Sequence, residues 1–207
     1  MNRKDQVFTD QELVELILKG HHEFYAQIVQ RHQKGIFRLS LRFVKDVDAA
    51  DDVVQEALIK AYEKLHLFEG RSSFKSWLYQ IAINTAKNKI RERRYEHKDV
   101  NDVHLAMDAE AEAGLIHQSV AGMLEAEIEK LPMKQRTALV LRIYEDMSFK
   151  EIADVMDCPY DTAKANFRHA LLKLREAFGE NNDLRRWVDR TTFITQELTG
   201  AVVEVES

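Results

Sequence analysis

Residues 148–174 read SFKEIADVMDCPYDTAKANFRHALLKL, and their apolar side chains recur with the period of two amphipathic helices. Ser148 and Glu151 have the spacing of a capping box, which predicts where the first helix begins. A tight connection at 157–159 separates the two helices. This arrangement is typical of a helix-turn-helix, although a solvated helical hairpin in a bundle has the same spacing.

The start of the second helix is polar and basic. We expect Asp161 or Thr162 to cap it. Residues 162–175 contain four basic side chains and no acidic one. Asn can form paired hydrogen bonds with adenine and Arg with guanine, while Lys binds phosphates. The side chains that could face DNA are therefore Lys164, Asn166, Arg168 and His169.

The composition restricts the class of fold. The chain has 207 residues, of which 45% are hydrophobic and 31% charged, a balance typical of a soluble globular protein. With 7 glycines and 2 prolines there is little to interrupt helices, so an all-α fold is predicted. No run approaches the roughly 18 apolar residues of a membrane span, and Cys158 alone cannot form an internal disulfide. We therefore expect a cytoplasmic protein without membrane insertion.

Charge is distributed unevenly along the chain, although the net charge is only −5. Residues 71–98 hold eight Lys or Arg and two Glu, whereas residues 99–129 hold eight acidic residues and no Lys or Arg. Helical spacing is lost within this acidic stretch, and basic residues return at 162–175. A polyanion could bind either basic segment. The sequence thus predicts two small helical domains joined by a flexible acidic linker.

The predicted domain bounds follow from where helical spacing stops and resumes. They are an N-terminal domain at 10–96, a linker at 97–119, a second domain at 120–180 and a C-terminal extension at 181–207. The extension could cover its own domain, bind a regulator or be disordered. Its apolar residues, Trp187 among them, favour packing or partner contact because they are costly to expose together.

Caps and apolar spacing divide the N-terminal domain into four helices. A second capping box at 9–12 begins the first helix. Asp48 is expected to cap the third helix, and Ser72 or Ser73 the fourth. Within the second helix, Gly35 is a weak point that costs about 1 kcal/mol relative to alanine.

Residues 74–94 combine aromatic and basic side chains in one predicted helix. Aromatic faces stack on unpaired bases while Lys and Arg hold phosphates, so this mixture suits single-stranded or melting nucleic acid. Aromatic residues at helical spacing belong more often to a core. We therefore expect Trp77 to be at least partly buried.

An acidic and polar face is predicted on the third helix, formed by Asp51, Asp52, Gln55 and Glu56. Such a face suits protein docking, and an ordinary solvated face has the same pattern. Clustered carboxylates also occur in metal and acid-base sites, but no matching ligand set follows at a suitable spacing. Phosphate-binding glycine loops and nucleophile motifs are missing from the sequence. We predict neither an enzyme nor a cofactor or metal site.

Three segments in this order and spacing resemble the extracytoplasmic-function group of bacterial sigma factors, within the sigma-70 family. They are DDVVQEALIKAYEKL at 51–65, SSFKSWLYQIAINTAKNKIRERR at 72–94 and LPMKQRTALVLRIYEDMSFKEIADVMDCPYDTAKANFRHALLKLREAF at 131–178. The resemblance implies a promoter-melting domain, region 2, and a helix-turn-helix domain, region 4. It implies a factor that binds core RNA polymerase and directs promoter-specific transcription initiation.

The resemblance also implies roles for individual residues. Core RNA polymerase would be bound by Asp51, Asp52, Gln55 and Glu56. The melted −10 element would be bound by Phe74, Trp77, Asn84, Lys87, Asn88, Arg91 and Arg94. The double-stranded −35 element would be bound by Thr162, Lys164, Asn166, Arg168, His169 and Lys173. An anti-sigma factor would be a further potential partner.

Two alternatives remain open at this point. One is a stand-alone helix-turn-helix regulator that binds DNA without polymerase. The other is a sigma-like interaction module, because Ala165, Asn166 and His169 depart from the usual recognition-helix residues. For the same reason the −35 sequence is not predicted, and neither are the regulon, the activating signal or the oligomeric state.

Overall fold

The computed structural model describes residues 8–96 and 120–178, which form helices joined by short connections. The helices are α1 (Asp10–Leu18), α2 (Tyr25–Val44), α3 (Val47–Glu63), α4 (Phe74–Glu96), α5 (Val120–Lys130), α6 (Met133–Tyr144), α7 (Phe149–Met156) and α8 (Tyr160–Phe178). Because the described residues contain no strand, the all-α prediction is confirmed. The predicted linker and the predicted extension lie outside these residues, so the domain bounds stay a prediction.

Both predicted capping boxes are confirmed. The Thr9 hydroxyl accepts a hydrogen bond from the Glu12 amide, and the Glu12 carboxylate accepts one from the Thr9 amide at 2.7 Å. The same reciprocal pair joins Ser148 and Glu151, with the Ser148 amide 2.9 Å from the carboxylate. These pairs satisfy amides that have no partner within the helix, and they fix where α1 and α7 begin.

The start of α4 agrees with the sequence prediction, whereas the start of α3 does not. Lys45 adopts a left-handed conformation, with φ of 56°, directly after α2. The chain therefore reverses at once, and the Asp46 side chain caps α3 through a 2.7 Å hydrogen bond from a first-turn amide. The predicted cap, Asp48, is wrong, because it lies in the first turn. At α4 the Ser73 hydroxyl accepts a hydrogen bond from the Ser76 amide at 3.1 Å, which confirms Ser73 as the start.

The connection between α7 and α8 is as tight as predicted, but α8 begins two residues earlier than a cap at Asp161 would place it. Asp157 ends α7 in a left-handed conformation with φ of 49°. The fixed φ of Pro159 suits the entry to a helix, so Tyr160 is the first helical residue. Asp161 and Thr162 are thus wrong as caps, and Asp161 lies in the first turn, where its charge favours the helix dipole.

The described residues form two compact units. The first comprises residues 8–96 with 140–160, and the second comprises residues 120–139 with 161–178. In the first unit, α2, α3 and α4 pack against one another, α1 packs on α2, and α7 packs on α4. Its fully buried side chains include Leu13, Ile28, Ile36, Leu39, Leu78, Tyr79, Ile83, Leu141, Met147 and Ile152. The second unit buries Leu124, Ile128, Leu131, Leu139, Phe167, Leu171, Leu174 and Phe178.

Gly35 has a packing reason for its place inside α2. A Cβ atom at this position would lie 2.0 Å from the Tyr79 hydroxyl and 2.8 Å from the Glu145 carboxylate. Both distances are far below any real carbon contact, so a side chain here would force Tyr79 aside. Glycine at this position costs α2 about 1 kcal/mol of helix stability relative to alanine, and it leaves room for the Tyr79 hydroxyl and the Glu145 carboxylate to approach each other.

A charged cluster joins α1 to α2. His32 Nε2 donates to Asp10 Oδ2 at 2.8 Å, and Arg31 donates to the other oxygen of the same carboxylate. The His32 side chain is only 6% exposed. Burial acts to raise the pKa of Asp10, but the hydrogen bonds and charges of His32 and Arg31 outweigh it. The pKa of Asp10 is therefore lowered below its ordinary value of 3.8.

Replacing this carboxylate should destabilise the protein in a pH-dependent way. Asp10→Asn is expected to lower the free energy of unfolding at neutral pH by about 1–3 kcal/mol, since it leaves His32 and Arg31 without their charged partner. A lowered folded-state pKa gives stability that is present above about pH 4 and lost as the pH falls through the folded value. Urea unfolding at pH 7 and pH 3 checks this, because the difference between the two proteins should be smaller at pH 3 than at pH 7. An equal difference at both pH values would contradict it.

Candidate functional site

The exposed side of α3 displays the four predicted polymerase-binding residues. Asp51, Asp52, Gln55 and Glu56 are all exposed, and residues three and four apart share one face of a helix. The opposite side of α3 is buried against α2 and α4 through Val53, Val54, Ala57, Leu58 and Ala61. The core therefore fixes the orientation of the helix, and with it the position of this acidic face.

Two lysines pair with the acidic face within the protein itself. Lys89 on α4 lies with its Nζ 2.9 Å from Asp52 Oδ2, and Lys60 donates to Glu56 one turn away. The hydrogen bond from Lys89 to Asp52 raises the pKa of Lys89 above its ordinary value. Together with Ile59, these side chains line an open groove along α3.

Sequence reasoning did not identify Lys89 or Ile59 as members of this groove. The Lys89–Asp52 pair joins residues on different helices, so no sequence spacing indicates it. Ile59 is 59% exposed, and it lies one helical turn after Glu56 and Gln55. A large apolar side chain on an otherwise polar helix face was the signal that could have identified it.

The aromatic residues at the start of α4 form a cluster. The rings of Phe68, Phe74 and Trp77 lie within 5.3–5.8 Å of one another, measured between centroids. Phe74 is buried, and Trp77 is partly buried, which confirms the expectation for Trp77. Phe74 is therefore buried in contact with the Trp77 ring, whereas direct DNA contact requires an exposed side chain.

A polar and basic row continues from Trp77 along α4. Asn84, Lys87, Asn88 and Arg91 are exposed, and Arg91 donates to the Asn88 side chain at 3.3 Å. Positions 77, 84, 88 and 91 differ by seven, four and three residues, so they share one helix face. The side chain of Arg94 lies outside the described part of the chain.

Helix α8 separates a buried face from a basic face. Ala163, Phe167, Ala170, Leu171 and Leu174 are buried. Five of the predicted −35 residues are exposed: Thr162, Lys164, Arg168, His169 and Lys173. Asn166 is only half-exposed, and its side-chain nitrogen donates to the Thr162 carbonyl at 2.9 Å. The amide of Asn166 is thus partly engaged by its own helix.

The described residues contain no group of three or more His, Cys, Asp or Glu that could hold a metal ion. Within the same residues, none of the helices combines the length and the apolarity that crossing a membrane requires.

Comparison with known families gives two matches in the chain. Residues 28–95 match the family described as Sigma-70 region 2, and residues 121–174 match the family described as Sigma-70, region 4. The first match contains α3 and nearly all of α4, and the second contains α7 and most of α8. Two helical regions with these matches define a bacterial sigma factor.

Curated relatives match about four fifths of the chain. The RNA polymerase sigma-H factor of Pseudomonas aeruginosa is 39% identical over 179 residues, which are 81% of this chain and 91% of the relative. The ECF RNA polymerase sigma-E factor of Escherichia coli strain K12 is 37% identical over 180 residues, which are 82% of this chain and 92% of the relative. The chain belongs to the extracytoplasmic-function sigma factors. It is a DNA-binding initiation factor that binds core RNA polymerase and directs transcription initiation.

Solved structures share this fold at lower identity. CnrH in complex with the cytosolic domain of CnrY has a TM-score of 0.64 at 22% identity, covering 82% of this chain and 96% of that one. The sigma factor RpoE of Bartonella quintana, in complex with the anti-sigma factor NepR, has a TM-score of 0.61 at 22% identity. It covers 76% of this chain and 98% of that one.

Proposed function

We propose that the acidic face of α3 is the surface that binds core RNA polymerase. The support is that Asp51, Asp52, Gln55 and Glu56 are all exposed on a helix whose other side is held in the core. Exposed ion pairs are individually worth about 0–1 kcal/mol, so the charges mainly set register and association rate. Ile59 is exposed beside these charged residues and would add a hydrophobic contact to the interface.

The melted −10 element would bind the face of α4 that bears Trp77, Asn84, Lys87, Asn88 and Arg91. Arg94 stays a predicted contact on the sequence resemblance alone. A partly exposed indole can stack on an unpaired base, an interaction worth about 1–3 kcal/mol. Lys and Arg along the same face would neutralise phosphates. We assign Phe74 a positioning role, because it is buried in contact with the Trp77 ring.

The −35 element would bind the exposed face of α8 through Thr162, Lys164, Arg168, His169 and Lys173. Lys164 and Arg168 lie one turn apart in the N-terminal half of α8, the half from which a recognition helix contacts base edges. Asn166 keeps its side-chain oxygen and one N–H for a base edge while its other N–H bonds Thr162.

The proposal includes the organisation of the whole chain. Region 2 would extend over 10–96 and region 4 over 120–180, joined by the acidic linker at 97–119, with 181–207 as an extension. The factor would act in the cytoplasm, without an active site of its own, since polymerase supplies the chemistry. A regulator of the anti-sigma class would be a further partner, as in the RpoE complex with NepR.

One observation supports this proposal most: acidic and basic faces are separate, each on a helix that a core holds in place. Reconstituted transcription tests it. Core RNA polymerase with the purified protein and a genomic template library should yield transcripts from defined start sites, with a shared sequence upstream of them. Polymerase alone should not. No increase in start-site-specific transcripts on adding the protein would contradict the proposal.

A further inference from the structure

A lysine from α4 lies among the carboxylates of the acidic face on α3. The Nζ atom of Lys89 donates a hydrogen bond to Asp52 Oδ2 at 2.9 Å, and the two helices that carry these residues pack against each other. The Lys89 side chain is 29% exposed and that of Asp52 is 59% exposed. The pair therefore lies at the surface of the first compact unit, where a binding partner can reach it.

Lys89 stays positively charged in this place. The hydrogen bond to Asp52 comes first among the causes, and the negative charges of Asp52, Glu56 and Glu92 act in the same direction. Together they outweigh desolvation and raise the pKa of Lys89 above its ordinary value of 10.5. At neutral pH the acidic face thus contains a cation of its own.

The groove along α3 contains charges of both signs. Its charged side chains are Asp52, Glu56, Lys60, Glu63 and Lys89. Lys60 pairs with Glu56 one turn away on the same helix, an arrangement that supports the helix itself. Lys89 comes from the neighbouring helix, so α3 does not need it in order to be helical.

The fold does not depend on the pair between Lys89 and Asp52. An exposed ion pair contributes little to stability, because water solvates both charges when they separate. Buried apolar residues, Val53 and Ala57 of α3 and Ala82 and Ala86 of α4 among them, already form the core of this unit. The pair can therefore break without disturbing either helix.

A cationic partner that binds Asp52 meets the ammonium group of Lys89 on the same carboxylate. The partner must displace the ammonium or lie beside it, and both alternatives weaken binding, because like charges repel strongly at such short distances. Lys89 also restrains the Asp52 side chain, which favours binding. This gain is small, because aspartate has only two rotatable side-chain bonds to order. Repulsion therefore outweighs preorganisation.

We propose that Lys89 competes with core RNA polymerase for Asp52, and that it thereby lowers the affinity of the factor for polymerase below the value that the carboxylates alone would give. The inference rests on the proposed role of the acidic face. Lys89 would determine the strength of this interface without being one of its binding residues.

Two substitutions of Lys89 should change the affinity in opposite directions. Lys89→Met keeps the length of the side chain and removes its charge, so binding to core polymerase should become about fivefold tighter at low salt, mainly through faster association. Lys89→Arg keeps the charge, but a guanidinium can hold both oxygens of a carboxylate, so binding should become about threefold weaker. Fluorescence anisotropy of the labelled full-length proteins, titrated with core polymerase, measures both affinities.

Matched controls separate competition from net charge. Lys34→Met makes the same change of charge on an exposed position of α2 and should alter the affinity by less than about twofold. In an Asp52→Asn background there is no carboxylate to compete for, so Lys89→Met and Lys89→Arg should each change the affinity by less than about twofold. Circular dichroism verifies that the helices persist in every variant.

The outcomes separate this inference from the proposed function. Unchanged or weaker binding by Lys89→Met would overturn the competition, and so would an equal gain in the Asp52→Asn background or an equal gain with Lys34→Met. Failure of the natural protein to bind core polymerase would instead contradict the proposed function.

Discussion

A sigma factor with Gln55→Ala and Glu56→Lys is expected to bind core RNA polymerase at least a hundredfold more weakly than the natural protein. The lysine places a positive charge where a carboxylate would face basic side chains, and such like-charge juxtaposition costs several kcal/mol. Each 1.4 kcal/mol corresponds to about a factor of ten in affinity. Both positions are exposed, so the fold should be unaffected.

Titration of labelled protein with core polymerase, followed by fluorescence anisotropy, measures this loss. Glu15→Lys makes the same charge reversal on the exposed side of α1 and should retain affinity within about threefold. The loss should also become smaller at high salt, because screening weakens both the original attraction and the new repulsion. An affinity of the double variant that equals that of the control would rule out the acidic face as the polymerase surface.

The double variant Lys164→Ala with Arg168→Ala should lose promoter-specific transcription and keep its affinity for polymerase. Polymerase affinity is expected to stay within about threefold, while promoter-specific transcription falls by roughly a hundredfold. Losing a base contact by Arg costs about 1–3 kcal/mol, and losing a phosphate contact by Lys adds a further, sequence-independent loss. The promoter identified by start-site mapping supplies the template.

The matched control for this pair is Lys130→Ala with Lys134→Ala, which removes the same charge from exposed positions of α5 and α6 in the same compact unit. If both double variants lose transcription equally, the effect comes from net charge and not from α8. If the α8 variant loses polymerase affinity instead, the division of roles between α3 and α8 is refuted.

The starts of α1 and α7 were predictable because their caps depend on residues that lie close together in the sequence. Both capping boxes consist of residues three apart, so they act before any tertiary contact forms, and Thr9 and Ser148 begin their helices as expected. Asp48 is wrong as the cap of α3 because the position of the cap, at Asp46, depends on the left-handed Lys45, a backbone feature without a sequence signal. The start of α8 was missed although Pro159, whose fixed φ suits the entry to a helix, is visible in the sequence.

The burial of individual aromatic residues and the pairing of charged side chains were harder to predict from the sequence. Helical spacing gave the exposed faces of α3 and α8, but it could not tell whether Phe74 or Trp77 would be the more buried of the two aromatics. The Lys89–Asp52 pair and the contacts of Glu145 join residues far apart in the chain. Their formation depends on how the helices pack, which a period of about 3.6 residues does not encode.

Gly35 also affects how this half of the molecule assembles. It weakens the centre of the continuous helix α2, with about ten residues on either side, and isolated helices shorter than about 12–15 residues are marginal in water. Neither half should persist alone, so α2 should become helical only when it docks against α3 and α4. Acquisition of helix and burial of hydrophobic surface should then be one cooperative event, and a nascent chain released before α4 is synthesised would lack both.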